Sequence, residues 1–398
     1  MGRPHLHRNQ GGGTAAARLQ RRNPAPIRDR TEATEWPWSA GGAAGRGKAE
    51  CGLPRIPNAM APCRTRVIRG MILITGGAGF IGSNLVAALE GRGARAIAVC
   101  DRLGTGDKWR NLAKRELAAF IAPEDLFPFL DRHECEIEAV FHLGAISSTT
   151  EPDADLILRT NFTLSSALWD WCARQNTRFI YASSAAAYGD GSAGFDDDAS
   201  SAALAQLRPM NAYGWSKLLF DRRVALMVED GGPRPRQWVG LRFFNVYGPN
   251  EYHKGGMRSV AKQVHERAVA GEDAILFRSH HSKYADGGQL RDFVWVGDCI
   301  EVMLWLHDHP AVSGLFNLGT GTARSFADLA AAVFRALGKR PAIRYVDTPP
   351  EIRARYQYFT EAKMERLRQA GYAKPFTSLE EGIERYVKGF LSAPDPYI

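Results

Sequence analysis

No run in this chain approaches the roughly 18 uninterrupted apolar residues that a membrane span needs, so a helical membrane protein is excluded and a soluble one is expected. Cysteine is sparse. Cys51, Cys63, Cys100, Cys135, Cys172 and Cys299 are scattered, with no CxxC and no metal-ligand spacing. That pattern excludes a disulfide scaffold and reads instead as core thiols in a reducing cytoplasm. His280 and His281 are adjacent, but neighbouring side chains rarely converge on one ion, and no cysteine or carboxylate pair stands near them. No metal site is expected. Internal repeats are also missing, which excludes a solenoid.

Acidic surplus is absent too: the net charge is +8, a balance that by itself suggests a nucleic-acid partner. Its distribution removes that suggestion. Residues 1–70 hold 13 Lys and Arg against 4 Asp and Glu, a net of +9, which leaves −1 for the other 328 residues. The basic stretch is rich in Gly, Pro, Ala and Arg without apolar periodicity, so burial cannot offset its ordering entropy. It is expected to be a disordered extension. Three roles compete for it: a transit peptide lacking the usual Ser richness, a polybasic arm for RNA or lipid, or a leader upstream of a start at Met71. No nucleic-acid or membrane partner is expected for the body.

From Met71 onward, short apolar runs alternate with helical patterns. Met71–Thr75, Ala96–Cys100, Ala139–His142, Phe179–Ala182 and Trp238–Phe243 read as strands, and Phe80–Glu90, Leu156–Arg174 and Tyr213–Glu229 as helices. Such alternation predicts an α/β fold with a doubly wound parallel Rossmann sheet. The dinucleotide domain is expected over 71–245. A smaller α/β substrate domain follows over 246–398, with about 290–320 returning to the first domain.

Thr75-Gly-Gly-Ala-Gly-Phe-Ile-Gly82 lies between the first strand and first helix. A dinucleotide pyrophosphate needs a tight turn, a backbone free of Cβ atoms and a helix N-terminus aimed at the phosphates. Gly76, Gly79, Phe80, Ile81 and Gly82 are the candidate contacts. Asp101, about 20 residues on at the end of the second strand, is placed for the adenosine ribose and by itself favours NAD. Arg102 and Lys108 are cations that would hold a 2′-phosphate, which turns the expectation toward NADP. The second signal is Tyr213-Gly-Trp-Ser-Lys217, whose i,i+4 spacing stacks phenol and ammonium on one helix face. A lysine cation would favour the phenolate of a tyrosine base. Ser184, at the end of a strand, would hydrogen-bond the reacting oxygen.

The body from Met71 resembles the ADP-L-glycero-D-manno-heptose 6-epimerases of the extended short-chain dehydrogenase superfamily. Besides the shared motifs, His142–Glu151 with its SSTTE sequence, Phe243–Met257 with HKG, Arg291–Asp298 and Arg355–Thr360 carry the likeness. The resemblance implies transient oxidation of a sugar carbinol with one tightly held NADP per subunit, an ADP-sugar substrate, and a cytoplasmic homo-oligomer, a pentamer. It implies Tyr213, Lys217 and Ser184 as catalytic groups and Lys254 as a second acid/base. Ala145, Ser147 and Asn161 would lie near the nicotinamide, and Lys108 near the adenosine phosphate. Asn245, Lys254, Arg291 and Tyr356 would contact substrate together with Ser184. Leu143, Gly256 and Gln263 depart from the family pattern, as does the longer stretch between Phe277 and Arg291.

The carbon to be inverted bears an unactivated C–H, so direct deprotonation is out of reach; oxidation makes the centre planar, and reduction from the opposite face inverts it. Two acid/base groups, one for each face, suit such a reaction. A nucleotide-sugar 4,6-dehydratase would want an acidic pair after Ser184, where Ala185-Ala186-Ala187 stands. A UDP-hexose 4-epimerase would share the first-domain motifs without explaining HKG or RYQ. A non-catalytic binder would not need Ser184, Tyr213 and Lys217 intact.

Overall fold

The computed structural model describes residues 70–353 and 356–398. The expectation of a disordered extension over 1–70 therefore lies outside the described residues, Gly70 aside.

The first strand, β1 (Met71–Thr75), is buried along its whole length. Its side chains alternate between the two sheet faces, and both faces are covered: Ile72 and Ile74 join one apolar cluster, Met71 and Leu73 the other. Burying an aliphatic side chain of this size stabilises by roughly 1.5–3 kcal/mol, so a helical layer on each face holds the strand. Around it lie β2 (Ile97–Cys100), β3 (Ala119–Ile121), β4 (Ile137–His142), β5 (Arg178–Ser184) and β6 (Trp238–Phe243). Further on come β7 (Asn245–Tyr247), β8 (Ala274–Phe277), β9 (Leu290–Trp295), β10 (Gly314–Leu318), β11 (Ala323–Ser325) and β12 (Ile343–Val346).

Seven strands form the central sheet in the order β10-β6-β5-β4-β1-β2-β3, and every pairing in it is parallel. Chain direction reverses its march between β1 and β4. Helices leave opposite faces there and open a crevice at the strands' carboxyl ends, the usual ligand position in such sheets. β10 adds the outer strand beside β6, and the Val296–Asp308 helix packs beside Phe80–Gly91. The remaining strands make two small sheets, β11-β9-β7 and β12-β8.

The Leu156–Arg174 pattern is not one uninterrupted α-helix. It runs as Ala154–Leu158 and Leu164–Arg174 around a widened π turn at Arg159–Thr163. Such a bulge re-aims one side chain, here Asn161, whose partners are described below.

Gly240 of β6 has no space for a side chain: an added Cβ would stand 2.5 Å from the Tyr181 ring and 2.7 Å from Leu315 Cδ1. Gly240→Ala is therefore expected to cost about 1–3 kcal/mol through overpacking. It should appear as a lower urea midpoint with an unchanged slope, and an unaltered midpoint would contradict the packing.

Candidate active site

The glycine loop is shaped by contacts of the backbone with itself. Gly76 has φ +70°, and a Cβ there would lie 2.5 Å from Gly144 N. A Cβ on Gly82 would meet Gly76 O at 2.2 Å. The loop is also held from outside: Asp101 Oδ2 accepts from Ala78 N at 2.9 Å, and Asn111 Nδ2 donates to Ala78 O at 2.9 Å. The Phe80–Gly91 helix begins without a side-chain cap. Its first-turn N–H groups therefore remain available, and Phe80, Ile81 and Gly82 face a cavity of about 660 Å³.

The same cavity brings together most of the residues singled out in the sequence. Gly76, Gly79, Asp101, Lys108, Ala145 and Ser147 line one part, and Ser184, Tyr213, Lys217, Asn245 and Lys254 another. The Ala212–Glu229 helix starts at Asn211, whose Oδ1 accepts from Gly214 N at 2.8 Å. Gly214 lets that helix reach the end of β5, since a Cβ there would lie 2.5 Å from Ala186 O. Tyr213 is thus brought beside Ser184. Lys217 is buried and donates to Ala182 O at 2.8 Å.

Desolvation raises the Tyr213 phenol above its ordinary value, and the Ser184 hydroxyl only partly opposes this. The lowering expected from the lysine is not what the protein alone produces, because the ammonium points to a backbone carbonyl. Lys217 itself is pushed down to about 8 by burial, against the pull of Asp221. Lys254, on the Tyr252–Met257 turn, is lowered by burial, Glu251 opposing. Its Nζ lies 5.5 Å from the centre of the Phe80 ring, and it has no ion-pair partner among the described residues.

Four candidates stand elsewhere. Arg102 pairs with Glu124 at 2.7 Å on the surface. Lys108, by contrast, sits 2.6 Å from Asp101 Oδ1 and neutralises it. Asn161 lies behind the cavity wall, where it accepts from Ile146 N at 2.8 Å and donates to Ser216 Oγ at 3.0 Å. It therefore braces both the Ala145–Ser147 loop and the Tyr213 helix. Arg291 and Tyr356 also fall outside the lining. The Arg291 guanidinium lies 5.6 Å from the Tyr356 ring and 5.6 Å from that of Phe326, and Phe326 does reach the wall.

The wall also contains residues that sequence reasoning did not assign, notably His253, Arg258 and Phe244. His253 is held down to about 4 by burial and by Lys108 and Lys254, so it stands uncharged at neutral pH. Its adjacency to Lys254 in HKG was the available signal. Of the departures from the family pattern, Leu143 lines the cavity, whereas Gln263 is exposed and donates to Arg258 O at 2.9 Å. The longer stretch before Arg291 packs His281 and Tyr284 on Tyr358, at ring separations of 5.2 and 5.3 Å. Arg355 lies outside the described residues.

A glycine cradle, an uncapped helix start and an acidic residue on the second strand, all at the switch point of a parallel sheet, fit a nicotinamide dinucleotide. The profile of the NAD dependent epimerase/dehydratase family matches residues 72–319. The chain belongs to that family. It is 48% identical over 333 residues to an ADP-L-glycero-D-manno-heptose-6-epimerase of Nitratidesulfovibrio vulgaris strain DP4, covering 82% of this chain and 100% of that one. The structure of an enzyme of the same name from Helicobacter pylori superposes with a TM-score of 0.67 at 29% identity, covering 84% of this chain and 100% of that one. UDP-glucose 4-epimerase from Thermus thermophilus, solved with NAD, superposes with a TM-score of 0.64 at 27% identity, covering 81% and 99%. A pyridine nucleotide cofactor follows from membership of this family, and the α/β sheet is the family's Rossmann-like fold.

Gly82→Ala puts its new methyl against the Gly76 carbonyl and is expected to abolish dinucleotide binding while the far-UV circular dichroism stays that of the parent. Retained binding in a cofactor titration would show that the loop does not need this close approach.

Proposed function

We propose that this epimerase interconverts ADP-D-glycero-D-manno-heptose and ADP-L-glycero-D-manno-heptose at C6, using tightly held NADP, in the nucleotide-sugar supply for lipopolysaccharide core. One observation carries the reading: Ser184, Tyr213, Lys217 and Lys254 share one cavity with the glycine loop. The names of relatives such as the Nitratidesulfovibrio vulgaris enzyme support the heptose substrate.

When bound, the dinucleotide supplies reversible removal of hydride from the carbinol. Tyr213 takes the hydroxyl proton, Ser184 hydrogen-bonds the reacting oxygen, and the Lys217 cation stabilises the phenolate. Lys254 serves the second face, its lowered pKa suiting it to exchange a proton. Asp101 is the one carboxylate among the described lining residues, and Lys108 occupies it. Elimination of water would need an acid near Ser184, so epimerisation is favoured over dehydration. The Lys108 cation beside Asp101 removes the repulsion a 2′-phosphate would meet there, which supports NADP over NAD. The reading includes a cytoplasmic homo-oligomer. Buried free thiols at Cys100, Cys172 and Cys299 are consistent with a reducing compartment.

The purified protein should release NADP(H) on denaturation and epimerise ADP-mannoheptose without added cofactor. Release of NAD alone, or no turnover, would sink this. Tyr213→Phe and Lys254→Met should each slow epimerisation by about 10²-fold or more. With a single epimer, stopped-flow absorbance should show hydride transfer surviving in one variant and lost in the other. If Lys254→Met raises only KM, Lys254 anchors phosphate instead.

Lys217 must stay protonated to support the phenolate, and burial has moved its titration down to about 8. The cation is present below that pH and lost above it. Turnover should therefore fall as pH rises through about 8, and a rate still level at pH about 10, near a free lysine's pKa, would contradict the assignment.

A further inference from the structure

Asp221 follows Lys217 by four residues on the Ala212–Glu229 helix, one turn away, and its side chain is fully buried. Its Oδ2 accepts from Ser183 Oγ at 2.8 Å and from Arg242 Nε at 3.1 Å, and its Oδ1 accepts from the Tyr181 hydroxyl at 3.2 Å. Arg242, from β6, is buried to the same degree. Taking two charges out of water is costly, and an apolar pair of equal volume would tie helix to sheet as well. Stability alone does not account for an ion pair at this place.

The place itself does. Lys217 has exchanged water for one backbone carbonyl, which cannot by itself keep an ammonium charged. Asp221 is the carboxylate whose field opposes that desolvation. The other titratable groups facing the pair are Tyr213 on the same helix, Tyr181 on β5, Arg242 on β6 and His142 on β4. His142 is held neutral, down to about 3, by burial and by Lys217. Burial raises both phenols, and Arg242 is a cation. Asp221 is thus the anion of the group. Through Ser183 it also grips the strand end that presents Ser184.

We propose that Asp221 is a positioning residue for the reaction, holding the Lys217 ammonium charged beside Tyr213 and fixing the Ser183–Ser184 strand end. This rests on Tyr213 and Lys217 being the acid–base pair.

The test uses the full-length protein with its cofactor, labelled with ¹³C at the lysine ε-carbon. The Lys217 resonance is assigned with Lys217→Met. In Asp221→Asn the Lys217 titration midpoint should fall by about one pH unit or more, and the alkaline limb of kcat should move down with it while KM stays near the parent's. Should the stranded Arg242 charge prevent folding, Asp221→Asn/Arg242→Gln removes both charges, and the midpoint should still fall, by less. Ser183→Ala keeps the carboxylate, so it should lower kcat and leave the midpoint in place. An unmoved midpoint in the folded Asp221 variants would overturn the proposal, as would failure of both to fold, which would assign the pair to the core alone. The NMR titration needs no turnover. A protein that left the heptose unchanged would therefore sink the proposed function without deciding this test.

Discussion

Close approach of backbone to backbone is the constraint on which the site depends. The glycine loop folds against its own carbonyl at Gly82 and against the start of the β4 loop at Gly76, and the Tyr213 helix touches the Ala186 carbonyl at Gly214. These three contacts set the distance between the glycine loop and the helix that carries Tyr213 and Lys217. A methyl at any of them would displace one wall of the cavity relative to the other. Because the sheet beneath is buried on both faces, the strands cannot shift to absorb the change.

Behind the walls, neutral polar groups hold the elements in place. Thr75 Oγ1 and His142 Nδ1 lie 2.6 Å apart, and His142 Nε2 lies 2.8 Å from Ser165 Oγ. Ser165 donates to Asn161 O at 2.6 Å, and Asn161 continues to Ser216, which donates to Tyr213 O at 2.7 Å. A chain of hydrogen bonds therefore runs from the end of β1 to the Tyr213 helix. Burial keeps His142 neutral, so this chain does not change charge within the working pH range.

The charged groups are arranged differently. Burial pushes the Lys217 and Lys254 ammoniums down and the Tyr213 phenol up, so each group is driven toward its uncharged form. The two lysines are not equivalent. Lys217 donates to the Ala182 carbonyl, whereas Lys254 rests over the Phe80 ring.

The alternation of strands and helices, the loop at Gly76–Gly82 and the pair Tyr213–Lys217 were all legible in the sequence. Each is a local pattern whose geometry is set by a 2- or 3.6-residue period and by the absence of a Cβ. The strand limits of β1 and β6 were read to the residue for the same reason, while three-residue β3 gave too short a pattern to notice. What only the tertiary structure decided concerns burial and pairing between distant segments. Lys108 turns to Asp101 while Arg102 leaves for Glu124; Asn161 is swung by a π turn into a bracing role; Arg291 and Tyr356 pair with each other outside the lining. The direction of the Tyr213 shift depends on how much protein surrounds the phenol, which no spacing encodes. Asp221 and Arg242 are 21 residues apart and became partners only when helix met sheet, because charge seeks its partner through space, not along the chain.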